Sequence, residues 1–302
     1  MAVTLWAKFR PTAALLLACG SFPFSGIFES PRPTFRVCTI PFLYSLMVSC
    51  LSFFISLEVI QRQANRFSIQ ENKEQEGMSP FQSVVHGILI MNLHLLSLFY
   101  QFYSLIFGRS IASLFRRFEK TFGHCSSNIP RWIPFIAIII IALIYLLRFY
   151  LLNNMRLSLL LEYKFYYEAV IGFNSASITV LTLAFCLELA HTLHEIRTDS
   201  DSILIQTKYA DVWMLAGQLG NALTYPILVS LLNNILMVFA ELYNISSMIR
   251  SVSSCKSIDA MEFYKSGLNL LQQLVRLLLL TFGPYYIEEK ARDGDRLFLE
   301  VA

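Results

Sequence analysis

Residues 133–152 read IPFIAIIIIALIYLLRFYLL, twenty positions with a single ionisable side chain, Arg148. A helix rises about 1.5 Å per residue, so such a run covers the roughly 30 Å hydrocarbon core of a bilayer. Backbone groups in hydrocarbon have no water to bond, and a helix satisfies them within one segment. The run is therefore read as a transmembrane helix. Five more stretches have the same character: Val37–Leu57, Met78–Phe107, Ala169–Leu187, Val212–Ala240 and Gly267–Ile287. Four of them hold no Asp, Glu, Lys or Arg, and the last holds only Arg276. The expected fold is all-α, a polytopic membrane bundle of six transmembrane helices forming one domain over residues 1–302.

Charge sets the expected orientation. With the N-terminus inside, the inner segments carry fourteen Lys and Arg, among them Lys8, Arg10, Arg116, Arg117 and Lys290, and the outer segments carry roughly half as many. Positive loops resist translocation, so a cytoplasmic N-terminus is expected. The sequon Asn244-Ile245-Ser246 then falls outside, at the end of the fifth span, as a candidate glycosylation site.

Composition narrows the function. Hydrophobic residues make up 55% of the chain and charged ones 15%, leaving no room between spans for a soluble catalytic domain. A net charge of +3 without a basic run gives no case for nucleic acid. The six cysteines are scattered over spans and both sides, so no disulfide framework is expected. Thr12–Cys19 is short for a signal-peptide core and is read as an uncleaved, partly buried cytoplasmic segment broken by Pro11, Pro23, Pro31 and Pro33. Ser110–Arg131 is read as a basic inner loop, amphipathic at its start, with Ile111, Leu114, Phe115 and Phe118 set against Arg116, Arg117 and Glu119. Residues 187–211 continue the fourth span as a helix with Leu189, Leu193 and Ile196 on one side.

Two arrangements invite a chemical reading. His194 and Asp199 have the His-x4-Asp spacing of membrane glycerolipid acyltransferases, in which a carboxylate orients an imidazole base. His191 and His194 share a helix face, yet no third or fourth metal ligand has suitable spacing. A solvated helix face is the plainer account, and neither a catalytic residue, a cofactor nor a metal is assigned.

The order of several short motifs carries a resemblance. Phe9-Arg10-Pro11 followed by Gly20-Ser21-Phe22-Pro23-Phe24 is similar to the segment before the first span in the arthropod gustatory and odorant receptor superfamily. Leu215-Ala216-Gly217-Gln218-Leu219-Gly220-Asn221-Ala222 has that family's approach to its fifth span. Tyr286-Ile287-Glu288-Glu289-Lys290-Ala291 resembles its helix leading toward a seventh. The resemblance implies a multi-pass plasma-membrane chemoreceptor for a tastant or odorant, a ligand-gated non-selective cation channel subunit in a homo- or hetero-tetramer with related receptors. The family's seventh span, with its Thr-Tyr…Gln-Phe motif, is not found in the 302 residues, so a ligand-binding bundle without the conduction path is expected. A G-protein-coupled receptor is the other receptor class; it would put the N-terminus outside, and Asp-Arg-Tyr and Asn-Pro-x-x-Tyr are both missing.

Polar residues within spans are the remaining clue, since in lipid they face a bundle interior or a cavity. On the outer half they include His86, Asn92, Asn174, Asn233, Gln272 and Gln273. Interhelical hydrogen bonds worth about 0.6 kcal/mol each are their ordinary use. An outward-opening pocket is the sharper reading, with Tyr166, Tyr167, Glu168, Asn234, Glu241, Tyr264 and Asn269 as its candidate lining. Arg148 and Arg276 are expected to snorkel or to pair with a carboxylate.

Overall fold

The computed structural model describes residues 5–27, 33–70, 80–122, 133–152, 163–198, 202–253 and 260–301. Among these the secondary structure is helical apart from one isolated bridge, Ser25 to Thr34. The helices are α1 (Leu5–Ala18), α2 (Ile40–Gln70), α3 (Pro80–Phe122), α4 (Ile133–Leu152), α5 (Tyr163–Thr198), α6 (Ser202–Ser253) and α7 (Ala260–Val301). Each apolar stretch of the sequence is matched by one of α2 to α7, though α2 begins only at Ile40, three residues into the first stretch, and Met78 and Ser79 of the second lie outside the described residues. Among the described residues, three runs are long and apolar enough to cross a membrane: Ile40–Arg62, Val170–Ile196 and Thr207–Arg250. That of α4 is shorter, Ile133–Ile144.

Helix α5 is the axis of the bundle. It packs against α1, α3, α4, α6 and α7, and 89% of its apolar run is buried, against 22% for α2 and 33% for α6. A run so enclosed meets protein on all sides, whereas α2 and α6 turn side chains such as Met47, Phe54, Leu236 and Phe239 outward. Contact pairs give the helix directions. Ser56 meets His94 and Ser52 meets Gln101, so α2 and α3 are antiparallel. Ser175 meets Arg276 and Cys186 lies against Gly283, so α5 and α7 run the same way. A Cβ on Gly283 would stand 2.9 Å from Cys186 Cβ, which is how closely these two helices approach.

Pro226 lies inside α6. Proline has no N–H, so the carbonyl four residues back, Ala222, loses its helical donor. The Tyr103 hydroxyl of α3 donates to that oxygen instead. A neighbouring helix thus re-satisfies the backbone group, as a proline in an apolar bundle requires.

The N-terminal segment differs from expectation in one respect that matters. Pro11 does not break it: α1 is helical on both sides of the proline. Trp6, Phe9, Ala13 and Leu16 are buried, and Trp6 and Phe9 pack on Phe115 at ring separations of 5.2 and 5.5 Å. Full burial of each large side chain contributes about 1.5–3 kcal/mol, enough in sum to offset an interior proline's cost of about 3 kcal/mol. The chain then turns at Gly20, whose φ of +75° is left-handed, and returns through Phe22, Phe24 and Phe35. Residues 110–122 likewise belong to α3 rather than to a loop. Ile111, Leu114, Phe115 and Phe118 face inward as expected, but Glu119 is buried with them instead of joining the exposed Arg116 and Arg117.

Candidate functional site

Four helices meet at a buried polar group centred on Arg276 of α7. Its guanidinium neither reaches an interface nor is exposed at all; it donates to Ser175 Oγ of α5 at 2.5 Å. The expectation of snorkelling is therefore overturned: mid-helix and surrounded by α3, α5 and α6, the side chain finds its partner inward. Arg148's side chain lies outside the described residues. The Tyr100 hydroxyl of α3 donates to the Pro226 carbonyl of α6 at 3.5 Å, beside Ser230 and within electrostatic reach of Arg276.

Amides flank this group. Gln272 and Gln273 precede Arg276 by four and three residues, which puts all three on neighbouring ridges of α7. Asn233 and Asn234 of α6 are also buried. The amide nitrogen and oxygen of all four side chains have no hydrogen-bond partner. A buried polar group without a partner costs about 1–3 kcal/mol, so four such amides are an expensive feature of an otherwise apolar interior. Seven residues from Arg276, about 10 Å along the helix, Asn269 donates to Glu241, and Glu241 Oε2 is again without a hydrogen bond.

Other polar contacts tie α1 into the same interior. Asn174, beside Ser175, accepts from Ser21 Oγ and donates to the Cys19 carbonyl at 3.1 Å. Thirteen residues further along α5 than Ser175, about 20 Å, Glu188 accepts from Lys8 at 2.7 Å.

Of the sequence candidates, Asn234, Glu241 and Asn269 are buried, the last two as a bonded pair, and Asn233, Gln272 and Gln273 belong to the same interior. Tyr264 does not: it is 65% exposed and faces away. Tyr166, Tyr167 and Glu168 are in α5 and His86 is in α3, but their side chains lie outside the described residues. Asn92 is half-buried. Asn244 is half-buried within α6, so the sequon lies on a helix and not in a loop after it.

Sequence reasoning missed Tyr100, Ser175 and Ser230, since hydroxyls in apolar helices are common. It also missed a serine row on α2, Ser45, Ser49, Ser52 and Ser56, all buried, where Ser52 accepts from Gln101 at 3.4 Å. The 4-3-4 spacing was the available signal, a stripe of small residues that lets two helices approach.

The chemistry on offer is recognition by one guanidinium and several amides. His191 Nδ1 is 3.5 Å from Glu195 Oε1, His194 is exposed, and Asp199 lies outside the described residues. Among the described residues no group of three His, Cys, Asp or Glu could hold a metal ion. No protein-family model and no curated protein matches the chain. What fold and site define is an all-α protein whose apolar helices suit a membrane and whose interior holds a polar centre.

Proposed function

We propose that the chain is a multi-pass plasma-membrane chemoreceptor of the arthropod gustatory and odorant type, a subunit of a ligand-gated cation channel assembled as a tetramer with related subunits. In this reading α2 to α7 are the six spans, the N-terminus is cytoplasmic, and lipid covers the apolar outer faces. A small molecule binds in the interior beside Arg276. One observation carries it: amides of Asn233, Asn234, Gln272 and Gln273 are buried without partners. Evolved interiors rarely keep such groups unless something polar reaches them. The motif order Phe9-Arg10-Pro11 … Gly20-Ser21-Phe22-Pro23-Phe24 supports the receptor class.

The test is a small-molecule panel on cells expressing the chain with related subunits and a calcium indicator, with epitope tags at residue 1 and within residues 63–79. A response weakened by Asn234→Leu at normal surface expression supports the reading. An N-terminal tag stained on intact cells would overturn the orientation and with it the receptor class.

A further inference from the structure

We propose that Glu241 of α6 and Asn269 of α7 form a site for the ammonium group of a primary amine. The inference rests on reading this interior as a ligand site and goes further by assigning the charge and functional group of what binds.

Three observations converge. Glu241 is 2% exposed and Asn269 1%, and Asn269 Nδ2 donates to Glu241 Oε1. The other oxygen of each, Glu241 Oε2 and Asn269 Oδ1, is buried without a hydrogen bond. Among the described residues no Lys, Arg or His forms an ion pair with this carboxylate. An amide N–H helps to solvate a buried carboxylate but does not balance its charge, which takes a cation or a proton. A proton serves one oxygen. An ammonium group has three donors and no acceptor, so it serves both bare oxygens at once.

Next, the surroundings suit an organic cation. Among the described residues no three His, Cys, Asp or Glu come together to hold a metal ion. Met237, one turn before Glu241 on the same face of α6, is buried and offers apolar contact to a carbon chain. Gln272 and Gln273, one turn beyond Asn269 on α7, are buried with amide nitrogen and oxygen unpartnered. They bond a neutral polar group on the ligand, so 3-aminopropanol should bind more tightly than propylamine.

Lastly, Glu241 directly follows the apolar stretch Val212–Ala240, and Asn269 is the third residue of Gly267–Ile287. With those stretches in a bilayer, the bonded pair lies at one end of the hydrocarbon. An ammonium reaches it from that aqueous side without crossing the bilayer centre, where a charge is most costly.

The full-length chain, purified in detergent at neutral pH, is melted in 3-aminopropanol, propylamine or sodium as chloride salts. The reference is tetramethylammonium chloride of equal ionic strength, a cation without N–H donors. The expected result is a saturable rise of about 5 °C with the primary amines at concentrations well above the dissociation constant, with 3-aminopropanol acting at the lowest concentration. Glu241→Gln abolishes the rise. Should Glu241→Gln fail to fold, two other variants serve. Asn269→Leu weakens propylamine binding about tenfold, the effect of one lost hydrogen bond to a charged group. Gln272→Leu combined with Gln273→Leu erases the preference for 3-aminopropanol. Equal shifts in wild type and folded Glu241→Gln, or a sodium shift matching that of the amines, overturn the proposal. So does no shift with any cation, which would show a carboxyl held protonated. The underlying ligand-site reading fails separately, if cellular responses to neutral molecules are indifferent to Asn234→Leu.

Discussion

Lys8 on α1 and Glu188 on α5 are 180 positions apart in sequence and form a buried ion pair, Nζ to Oε1 2.7 Å. The pair fixes the lower end of α1 against the axial helix, while Ser21 and Asn174 fix the upper end. Between the two anchors α1 runs antiparallel to α5.

Breaking one half of that pair should be worse than removing both. Lys8→Ala leaves a buried carboxylate and is expected to cost about 3–5 kcal/mol, whereas Lys8→Met with Glu188→Leu recovers most of the loss. Thermal melting of the three proteins in one detergent checks this. Equal melting of the single and double variants would mean that the pair is not an energetic unit.

Tyr103→Phe removes the hydroxyl that serves the carbonyl freed by Pro226. The expected loss is about 1–3 kcal/mol, the penalty of leaving that buried oxygen unpaired. Pro226→Ala restores the helical donor, so Tyr103→Phe should be nearly harmless in that background. A double-mutant cycle measured by melting shows whether the two positions are coupled in this way.

Two glycines with opposite surroundings make a controlled pair. Gly20 has φ +75°, and a Cβ there would lie 2.6 Å from a Val48 methyl. Gly20→Ala should cost more than the roughly 1–2 kcal/mol of the left-handed conformation alone. Gly217, in α6, has nothing within 4 Å of an added Cβ. There an alanine should gain up to about 1 kcal/mol through helix propensity.

Stability and response should move in opposite directions at the amides. Asn234→Leu and Gln273→Leu each remove a buried unpaired amide and should raise the melting temperature of the ligand-free protein, by an amount equivalent to about 1–3 kcal/mol. The same variants should lose sensitivity to ligand in the calcium assay. A destabilised protein with an unchanged response would show these amides to be structural.

How much was legible beforehand divides along physical lines. The six apolar stretches needed only composition and length, and each is matched, over most of its length, by one helix from α2 to α7. The inward residues of 111–118 and of 189–196 followed from the 3.6-residue period. The helical continuation past Leu187 was expected and α5 runs to Thr198, but the extent of α3 did not follow, because polar residues at 110–122 continue a helix whenever one face finds a partner. Loop and helix differ there by tertiary burial, not by local sequence. Pro11 misled for the same reason: its local penalty was outweighed by packing of Trp6 and Phe9.

The polar interior was half legible. Asn234, Glu241, Asn269, Gln272 and Gln273 stand out because polar residues are rare in apolar runs, whereas Tyr264, chosen on the same ground, faces outward. A residue's presence in a span says nothing of its azimuth once neighbours on both sides are apolar. By itself, then, the sequence determined an all-helical chain with six apolar stretches, since hydrogen-bond satisfaction in an apolar medium admits little else. Only the tertiary structure decided that α5 is the axis, that α1 lies inside the bundle and that Arg276 sits among Ser175, Tyr100 and the amides. Those facts depend on which helix faces meet, and that is a property of packing among distant segments.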